Sequence, residues 1–340
     1  MLGEFGAEVI KVEEPTTGDL LRQFGPQYEG RPLLWLQEAR NKKSITLNLR
    51  LPRGQAILRQ LAARCDVLAE NFRPGTLEQW GLGYESLAQE NPGLILLRVS
   101  GYGQTGPYRH KGAFDRVASA FAGLTYVSGF PDAEPVRQGF ALADYLAASF
   151  GAFAVMLALY HRDRNGGGGQ EIDLALYEGI FRGSEGMLTA YQKLGMVRER
   201  SGNRHPGVSP AGNYRSGDGA WVVLNAGTDS LWKRLAALMG GEELAQDPRY
   251  ARSVDRVARG DDVDAMVAAW VSTRPAAELL RQLEEARIPA EKLYTVADIA
   301  ADPHYRERNI VEIDDPRVGR LAMVGVVPKL SKTPGTINWA

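Results

Sequence analysis

Short apolar segments alternate with amphipathic segments along the first part of the chain. Strand-like runs occupy residues 8–13, 44–49, 66–71 and 93–99, and apolar residues recur at helical spacing in 52–62 and, with an interruption at 81–83, in 77–87. Further along, residues 170–177 read as a strand that turns into one long helix ending at about Leu194. The run at 93–99 is apolar almost throughout, which is typical of a strand buried on both faces. The pattern therefore predicts a parallel sheet covered by helices, an α/β fold.

Two loops of this predicted sheet follow the carboxyl ends of strands, where parallel sheets bind ligands. Residues 71–75 read Asn-Phe-Arg-Pro-Gly, and residues 100–106 read Ser-Gly-Tyr-Gly-Gln-Thr-Gly. We expect a binding site at this edge.

A long apolar stretch, residues 139–160, contains a single charge, Asp144. One interpretation is helix capping, since Asp is a favoured N-cap whose loss costs only about 1 kcal/mol. The other is chemistry, because a carboxylate held at a helix N-terminus in a dry pocket can act as a nucleophile or carry a proton. The stretch is long enough to suggest a membrane span, but Asp144, its small residues and the lack of a second span argue against one.

The pattern changes after the polar segment 196–206. Alternating residues around Gly217-Asp218-Gly219 predict a hairpin, and helical spacing follows in 230–239, 261–272 and 276–286. We therefore expect a large Rossmann-like domain over 1–200, a small α+β domain over 207–305, and a return segment over 306–340.

Composition excludes several classes of function. With 44% hydrophobic residues, 24% charged residues and a net charge of −1, the chain has no field that would draw it to nucleic acid or to an anionic membrane. One cysteine and four dispersed histidines make an intrachain disulfide impossible and predict no metal site. The N-terminus shows no signal-peptide pattern, so a cytoplasmic location is expected.

Five motifs occur in an order that resembles the class III CoA-transferase family, which includes formyl-CoA, carnitine-CoA and dicarboxylate-CoA transferases. The resemblance extends from residue 3 to about residue 335, and although each motif is weak alone, the ordered set is specific. The motifs lie at residues 6–13 with 18–22, 41–44, 70–75, 101–107 and 143–144.

The resemblance implies a doubly wound parallel sheet in a large α/β domain built from both chain ends, with an inserted smaller α+β domain. It also implies a homodimer whose two chains interlock, and acyl-CoA as substrate without a permanently bound cofactor. Asp144 matches the aspartate that attacks the acyl-CoA thioester to give an aspartyl anhydride and free CoA. Acyl transfer to the incoming acid and return of CoA complete the exchange.

Other site residues follow from the same matching. Asn71 and Phe72 resemble residues that line the CoA cleft in the family. Leu47 resembles the apolar side chain beside the adenine, and Asp115 resembles an acidic group of the active site. Simpler interpretations stay open. Asn71 is suited to capping the turn that follows it, Asp115 is suited to capping the next helix, and Leu47 is suited to packing in a core. Basic candidates for the CoA phosphates are Arg22, Lys42, Lys43, Arg73 and Arg109, and candidates for meeting a second carboxylate are Tyr145, Arg137 and His205.

Three departures from the family stand out. The first strand and its loop, expected before Met1, and the closing segment after the tail are absent from the sequence, which suggests a truncated or mis-started chain. At Gln79-Trp80, where some members have an arginine that contacts the nucleotide, this chain has no charge.

Three functions are compatible with these residues. The first is a CoA-transferase that uses an acyl-CoA donor such as succinyl-CoA and a small carboxylic acid. The second is an α-methylacyl-CoA racemase, but the histidine that it requires is replaced by Phe114, which cannot exchange a proton. The third is a catalytically inactive CoA-binding subunit.

Overall fold

The computed structural model describes residues 1–340 and divides the chain into two compact units. The large unit combines residues 1–124, 138–194 and 300–340, and the small unit combines residues 125–137 and 195–299. The chain therefore leaves the large unit twice and returns to it each time.

Twelve strands follow one another along the chain. They are β1 (Val9–Glu13), β2 (Gln27–Tyr28), β3 (Arg31–Pro32), β4 (Lys42–Thr46), β5 (Val67–Glu70), β6 (Ile95–Ser100), β7 (Glu171–Ala175), β8 (Ala211–Arg215), β9 (Trp221–Asn225), β10 (Ala290–Lys292), β11 (Ile310–Asp315) and β12 (Gly319–Val324).

Fifteen α-helices connect the strands, with short 3₁₀ helices at Leu2–Phe5 and Leu20–Gln23. They are α1 (Leu33–Glu38), α2 (Pro52–Ala62), α3 (Thr76–Gln79), α4 (Tyr84–Glu90), α5 (Asp115–Phe121), α6 (Leu124–Val127), α7 (Leu142–Asn165), α8 (Leu176–Arg182), α9 (Met187–Leu194), α10 (Asp229–Ala245), α11 (Ser253–Ala258), α12 (Gly260–Val271), α13 (Ala276–Glu285), α14 (Val296–Ala301) and α15 (Pro303–Arg308).

Parallel strands dominate the large unit, so the expected α/β class is confirmed. β1 pairs with β4 in one ladder, and β6 lies between β5 and β7 in another. β6 explains the long apolar run in the sequence, because Ile95 and Leu96 are completely buried. Helix α2 covers one face through Leu58 and Ala62, which pack in the same apolar cluster as Leu96.

The helix α7 runs antiparallel to the strands of the second ladder. Near its C-terminus, Arg162 donates to the carbonyl of Gly93 at 3.1 Å and pairs with Asp66 at 2.9 Å, and these two residues lie just before β6 and β5. Midway, Gly151 lies so close to Leu97 of β6 that an added Cβ would stand 3.0 Å from its side chain. The N-terminus of α7 therefore lies at the carboxyl edge of the strands.

By length and composition alone α7 could cross a membrane, a criterion that the core helices of soluble proteins also meet. It packs on β6 and β7, and its outward face carries exposed apolar side chains, namely Phe150, Phe153, Met156, Leu157 and Tyr160.

The structure differs from the predicted elements in one helix of the large unit. The segment after β7 was expected to form a single helix to Leu194 but forms α8 and α9, separated by residues 183–186. Gly186 in this break has a φ of 75°, a left-handed conformation that favours glycine and interrupts a helix.

The small unit is α+β and has its own core. β8, β9 and β10 form an antiparallel sheet in which β8 and β9 are the predicted hairpin. Its completely buried residues include Leu235, Val267 and Leu279. Arg256 is also completely buried and donates to four backbone carbonyls, those of Ser209, Tyr250, Ala251 and Gly227.

Candidate active site

Asp144 lies in the first turn of α7, at the carboxyl edge of the second ladder. It is the third residue of the helix, and although the residue as a whole is exposed, the surrounding protein removes part of the water from its carboxylate. It is not the N-cap, which is Ala141, and its carboxylate accepts no hydrogen bond within the chain. The capping interpretation of Asp144 is therefore wrong, and its carboxylate is unpaired.

Asp115 caps the helix that carries Asp144. It begins α5 and does not cap that helix, whose N-cap is Phe114. Its buried Oδ1 accepts instead from the amide of Ala143 at 2.9 Å, one residue before Asp144. The expectation that Asp115 caps the helix next to it in sequence is thus wrong, because the cap reaches across to α7.

This arrangement places two carboxyl groups near each other. Loss of water around the Asp144 carboxylate raises its pKa above the ordinary aspartate value, and the negative charge of Asp115 raises it further. A carboxylate whose pKa is raised in this way is, when ionised, a stronger base than an ordinary surface aspartate.

The predicted CoA-cleft residues Asn71, Phe72 and Arg73 lie on the loop after β5. The expectation that Asn71 caps this turn is wrong, because its side chain makes no hydrogen bond within the chain and the Glu70 carboxylate instead accepts from the amide of Phe72 at 2.6 Å. The Asn71 side chain is exposed and available to a ligand.

Arg73 lies beside Gly112 of the loop after β6. One Nη of its guanidinium lies 3.3 Å from where a Cβ on Gly112 would stand, so a side chain there would press on the arginine. Arg73 is exposed and forms no ion pair, which leaves its charge available to an anion.

Phe72 contacts Trp80, and Leu47 packs against the same apolar cluster as Trp80. The rings of Phe72 and Trp80 meet edge to face with centroids 5.2 Å apart. Trp80 and Leu47 both pack against the apolar cluster that contains Leu77 and Leu82. The structure therefore brings Phe72 and Leu47 to one region of the large unit, with Trp80 where an arginine was considered.

Arg22 and Lys42 are already engaged within the chain. Arg22 pairs with both carboxylate oxygens of Glu13 at 2.8 and 2.9 Å and stacks 3.8 Å from the centre of the Trp35 ring. Hydrogen bonds from Arg22 lower the pKa of Glu13 to about 2. Lys42 donates to the carbonyl of Glu38, and burial lowers the pKa of its ammonium group.

Tyr145 follows Asp144 in α7, and its hydroxyl donates to Glu38 at 3.0 Å. Burial raises the pKa of Tyr145, and the charge of Glu38 raises it further, so the hydroxyl stays protonated at neutral pH.

Two features of this edge were missed by sequence reasoning. Asp173, in β7, accepts from the amide of Gln104 at 2.9 and 3.0 Å and so fixes the glycine-rich loop after β6. Arg98, in β6, is buried and pairs with Glu70 and Glu78. An arginine inside an otherwise apolar strand is the signal that identifies the second feature.

Comparison with known proteins supports the family resemblance over the whole chain. The sequence profile described as CoA-transferase family III matches residues 1–340. A succinyl-CoA–D-citramalate CoA-transferase of Chloroflexus aurantiacus is 46% identical in an alignment of 341 positions that covers 100% of this chain and 85% of the relative. The beta subunit of a succinyl-CoA–L-malate CoA-transferase from the same organism is 47% identical, covering 99% of this chain and 84% of the relative.

A solved structure supports the fold independently. The crystal structure of a CaiB/BaiF family protein from Brucella suis matches with a TM-score of 0.85 and 33% identity, covering 99% of this chain and 89% of that one. A full-length sequence match and a full-length structural match agree, so this chain belongs to CoA-transferase family III and is a CoA-transferase.

Proposed function

We propose that this enzyme moves CoA from succinyl-CoA to a small carboxylic acid of the malate or citramalate type, with Asp144 as the nucleophile. The observation that carries the proposal is an unpaired Asp144 carboxylate at the carboxyl edge of the strands, with a raised pKa. The names of the relatives support the choice of donor and acceptor.

The exchange proceeds through Asp144 without a redox change or a resident cofactor. An oxygen of Asp144 attacks the thioester carbon, the carbon–sulfur bond breaks, and CoA leaves as a thiolate, which gives a mixed anhydride. The thiolate then attacks the Asp144 carbonyl, and the donor acid leaves as its carboxylate.

The second half of the exchange runs the same two steps in reverse, with the acceptor acid in place of the donor acid. The acceptor carboxylate attacks the Asp144 thioester and releases the thiolate, which then attacks the acceptor's carbonyl in the new anhydride. The carbon–oxygen bond to Asp144 breaks and restores the free carboxylate. Each step exchanges one anion for another, so no proton has to be moved.

Asp115 favours the first step by electrostatics. Two negative charges stand near each other while Asp144 is ionised, and acylation removes one of them. Repulsion in the free enzyme is therefore relieved in the intermediate. Because Asp115 occupies the amide of Ala143, the amides near Gly139, around which there is open space, are our candidates for the oxyanion.

For CoA we propose Asn71, Phe72 and Leu47 as cleft residues and Arg73 as the phosphate contact. Arg73 is preferred because its charge is unpaired, whereas Arg22 and Lys42 would first have to give up Glu13 and Glu38. A guanidinium also matches phosphate geometry better than an ammonium group.

We further propose a cytoplasmic homodimer with interlocked chains. The exposed apolar side chains of α7, including Phe153 and Tyr160, support it, because monomers rarely expose such a contiguous apolar face. Sedimentation equilibrium tests this state: a mass of twice 37.2 kDa is expected, and a monomer contradicts it.

A transfer assay tests the function. Purified enzyme is incubated with succinyl-CoA and a panel of acids, and acyl-CoA products are separated and weighed. We expect malate or citramalate thioesters, a loss of at least about a thousandfold in Asp144→Asn, and near-normal rates in Asp163→Asn, a control at the other end of α7. Turnover by Asp144→Asn contradicts the proposed nucleophile, and α-proton exchange with D₂O without transfer contradicts the reaction.

A further inference from the structure

Arg98 is a buried cation surrounded by carboxylates just below the candidate site. It is 4% exposed in the middle strand β6 and stands opposite Glu70 of β5. Its Nε lies 2.7 Å from Glu70 and its Nη1 lies 2.6 Å from Glu78, with Glu171 at 3.6 Å. Although burial alone would lower the pKa of Arg98, its hydrogen bonds to Glu78 and Glu70 raise it.

The two main partners of Arg98 stand on either side of the loop 71–75. Glu70 is the last residue of β5, directly before the loop, and Glu78 lies in α3, which begins directly after it. Glu70 uses its second oxygen to accept from the amide of Phe72 at 2.6 Å. The Arg98 guanidinium thus joins the residues on both sides of the loop. Through Glu70 it also holds the backbone of Phe72.

We propose that Arg98 is a positioning residue for acyl-CoA, because its ties to Glu70 and Glu78 hold the loop that carries Asn71, Phe72 and Arg73. This inference rests on the proposed CoA role of that loop. Arg98 itself does not contact the substrate. It fixes where three ligand-contacting side chains stand before CoA arrives, which lowers the entropy lost on binding.

The alternative role for Arg98 is to stabilise the sheet only. In that case, weakening its ties would lower stability without a selective effect on CoA. Glu78 separates the two roles, since its side chain is 45% exposed and its loss leaves the buried Arg98–Glu70 pair intact.

The test is Glu78→Gln, which keeps the size of the side chain and removes its charge. We expect the KM for succinyl-CoA and the Kd of free CoA, measured by calorimetry, to rise about tenfold. The kcat and the KM of the acid should change less than twofold. Arg98→Lys should show the same selectivity, since an ammonium group cannot satisfy both carboxylates with the geometry of a guanidinium.

The matched control is Asp66→Asn. Asp66 is also an exposed carboxylate paired with an arginine, Arg162, but it lies before β5, at the opposite end of the strand. We expect no change in CoA binding. Equal effects of Glu78→Gln and Asp66→Asn, unchanged CoA binding in Glu78→Gln, or unfolding of Glu78→Gln at assay temperature would each overturn the positioning role.

Failure of the proposed function is distinguishable from failure of this inference. If the wild type binds CoA but transfers it to no acid, the function is wrong, and the calorimetric Kd still tests Arg98. If the wild type transfers CoA and Glu78→Gln binds CoA normally, only the positioning role is wrong.

Discussion

The two units each bury one arginine, and the two arginines are satisfied in different ways. Arg256 of the small unit, completely buried, donates mainly to four backbone carbonyls and also reaches Asp229, whose side chain is 59% exposed. Arg98 of the large unit pairs with the carboxylates Glu70 and Glu78.

The difference indicates two roles. Arg256 is a structural cross-link, whereas Arg98 belongs to a cluster of charges beside the proposed CoA site. Backbone carbonyls are neutral and fixed by the fold, so Arg256 joins segments of chain with little dependence on pH. The partners of Arg98 are titratable, and they flank the loop that we assign to CoA. A buried arginine alone therefore does not indicate function, whereas the chemistry of its partners does.

Replacing Arg256 should give the largest effect. Arg256→Met leaves four buried carbonyls without their donor, and we expect the unfolding free energy to fall by about 5 kcal/mol. Because the four carbonyls do not titrate and the Asp229 side chain is 59% exposed, the loss should be similar at pH 5 and pH 8. Urea unfolding followed by tryptophan fluorescence measures it, and a strongly pH-dependent loss would remove the contrast with Arg98.

Replacing Arg98 should lower the free energy of unfolding by a smaller amount, and this loss should depend on pH. Arg98→Met leaves the Glu70 carboxylate buried and unpaired, at a cost of about 3 kcal/mol at neutral pH. Burial already raises the pKa of Glu70, against hydrogen bonds from Arg98. In the variant the folded pKa rises further above the unfolded one, so the deficit is full at high pH and shrinks as falling pH protonates Glu70.

The double variant Arg98→Met with Glu70→Gln should recover part of this loss at neutral pH, since the buried charge is gone. The same urea titrations measure the recovery. A double variant less stable than Arg98→Met would show that Glu70 is not the source of the cost.

Asp115 offers a smaller test at the same edge. Asp115→Asn removes the negative charge near Asp144, so the pKa of Asp144 should fall and the acid limb of kcat/KM should move to lower pH. At neutral pH we expect a loss of about tenfold, because the less basic carboxylate is a weaker nucleophile and its repulsion is no longer relieved. An acid limb that does not move contradicts the electrostatic role of Asp115.

The smallest expected effect is the change in thermal stability when Asp144 is replaced. Its pKa is higher in the folded chain than in the unfolded chain, so its stabilising contribution is present at low pH and lost as pH rises through the folded pKa. Asp144→Asn should therefore melt slightly above the wild type at pH 7 and equally at pH 3. Calorimetry measures both, and a lower melting temperature at pH 7 contradicts the sign.

Sequence reasoning predicted the α/β class, the hairpin of β8 and β9 and the helix of Asp144, because these depend on local periodicity and turn chemistry. It could not predict that Asp115 caps α7 or that Glu70 holds Phe72. Both contacts join side chains to backbone amides whose positions are set by tertiary packing. It also could not show that Arg22 is occupied by Glu13, since the sequence does not show which charges meet.

Acylation of Asp144 is tested most directly by trapping the intermediate. Enzyme is incubated with succinyl-CoA, quenched with hydroxylamine or borohydride, digested and mapped by mass spectrometry. We predict a hydroxamate or a reduced side chain at Asp144, absent without succinyl-CoA and absent in Asp144→Asn. Modification at another residue, or no adduct during active transfer, would contradict the account.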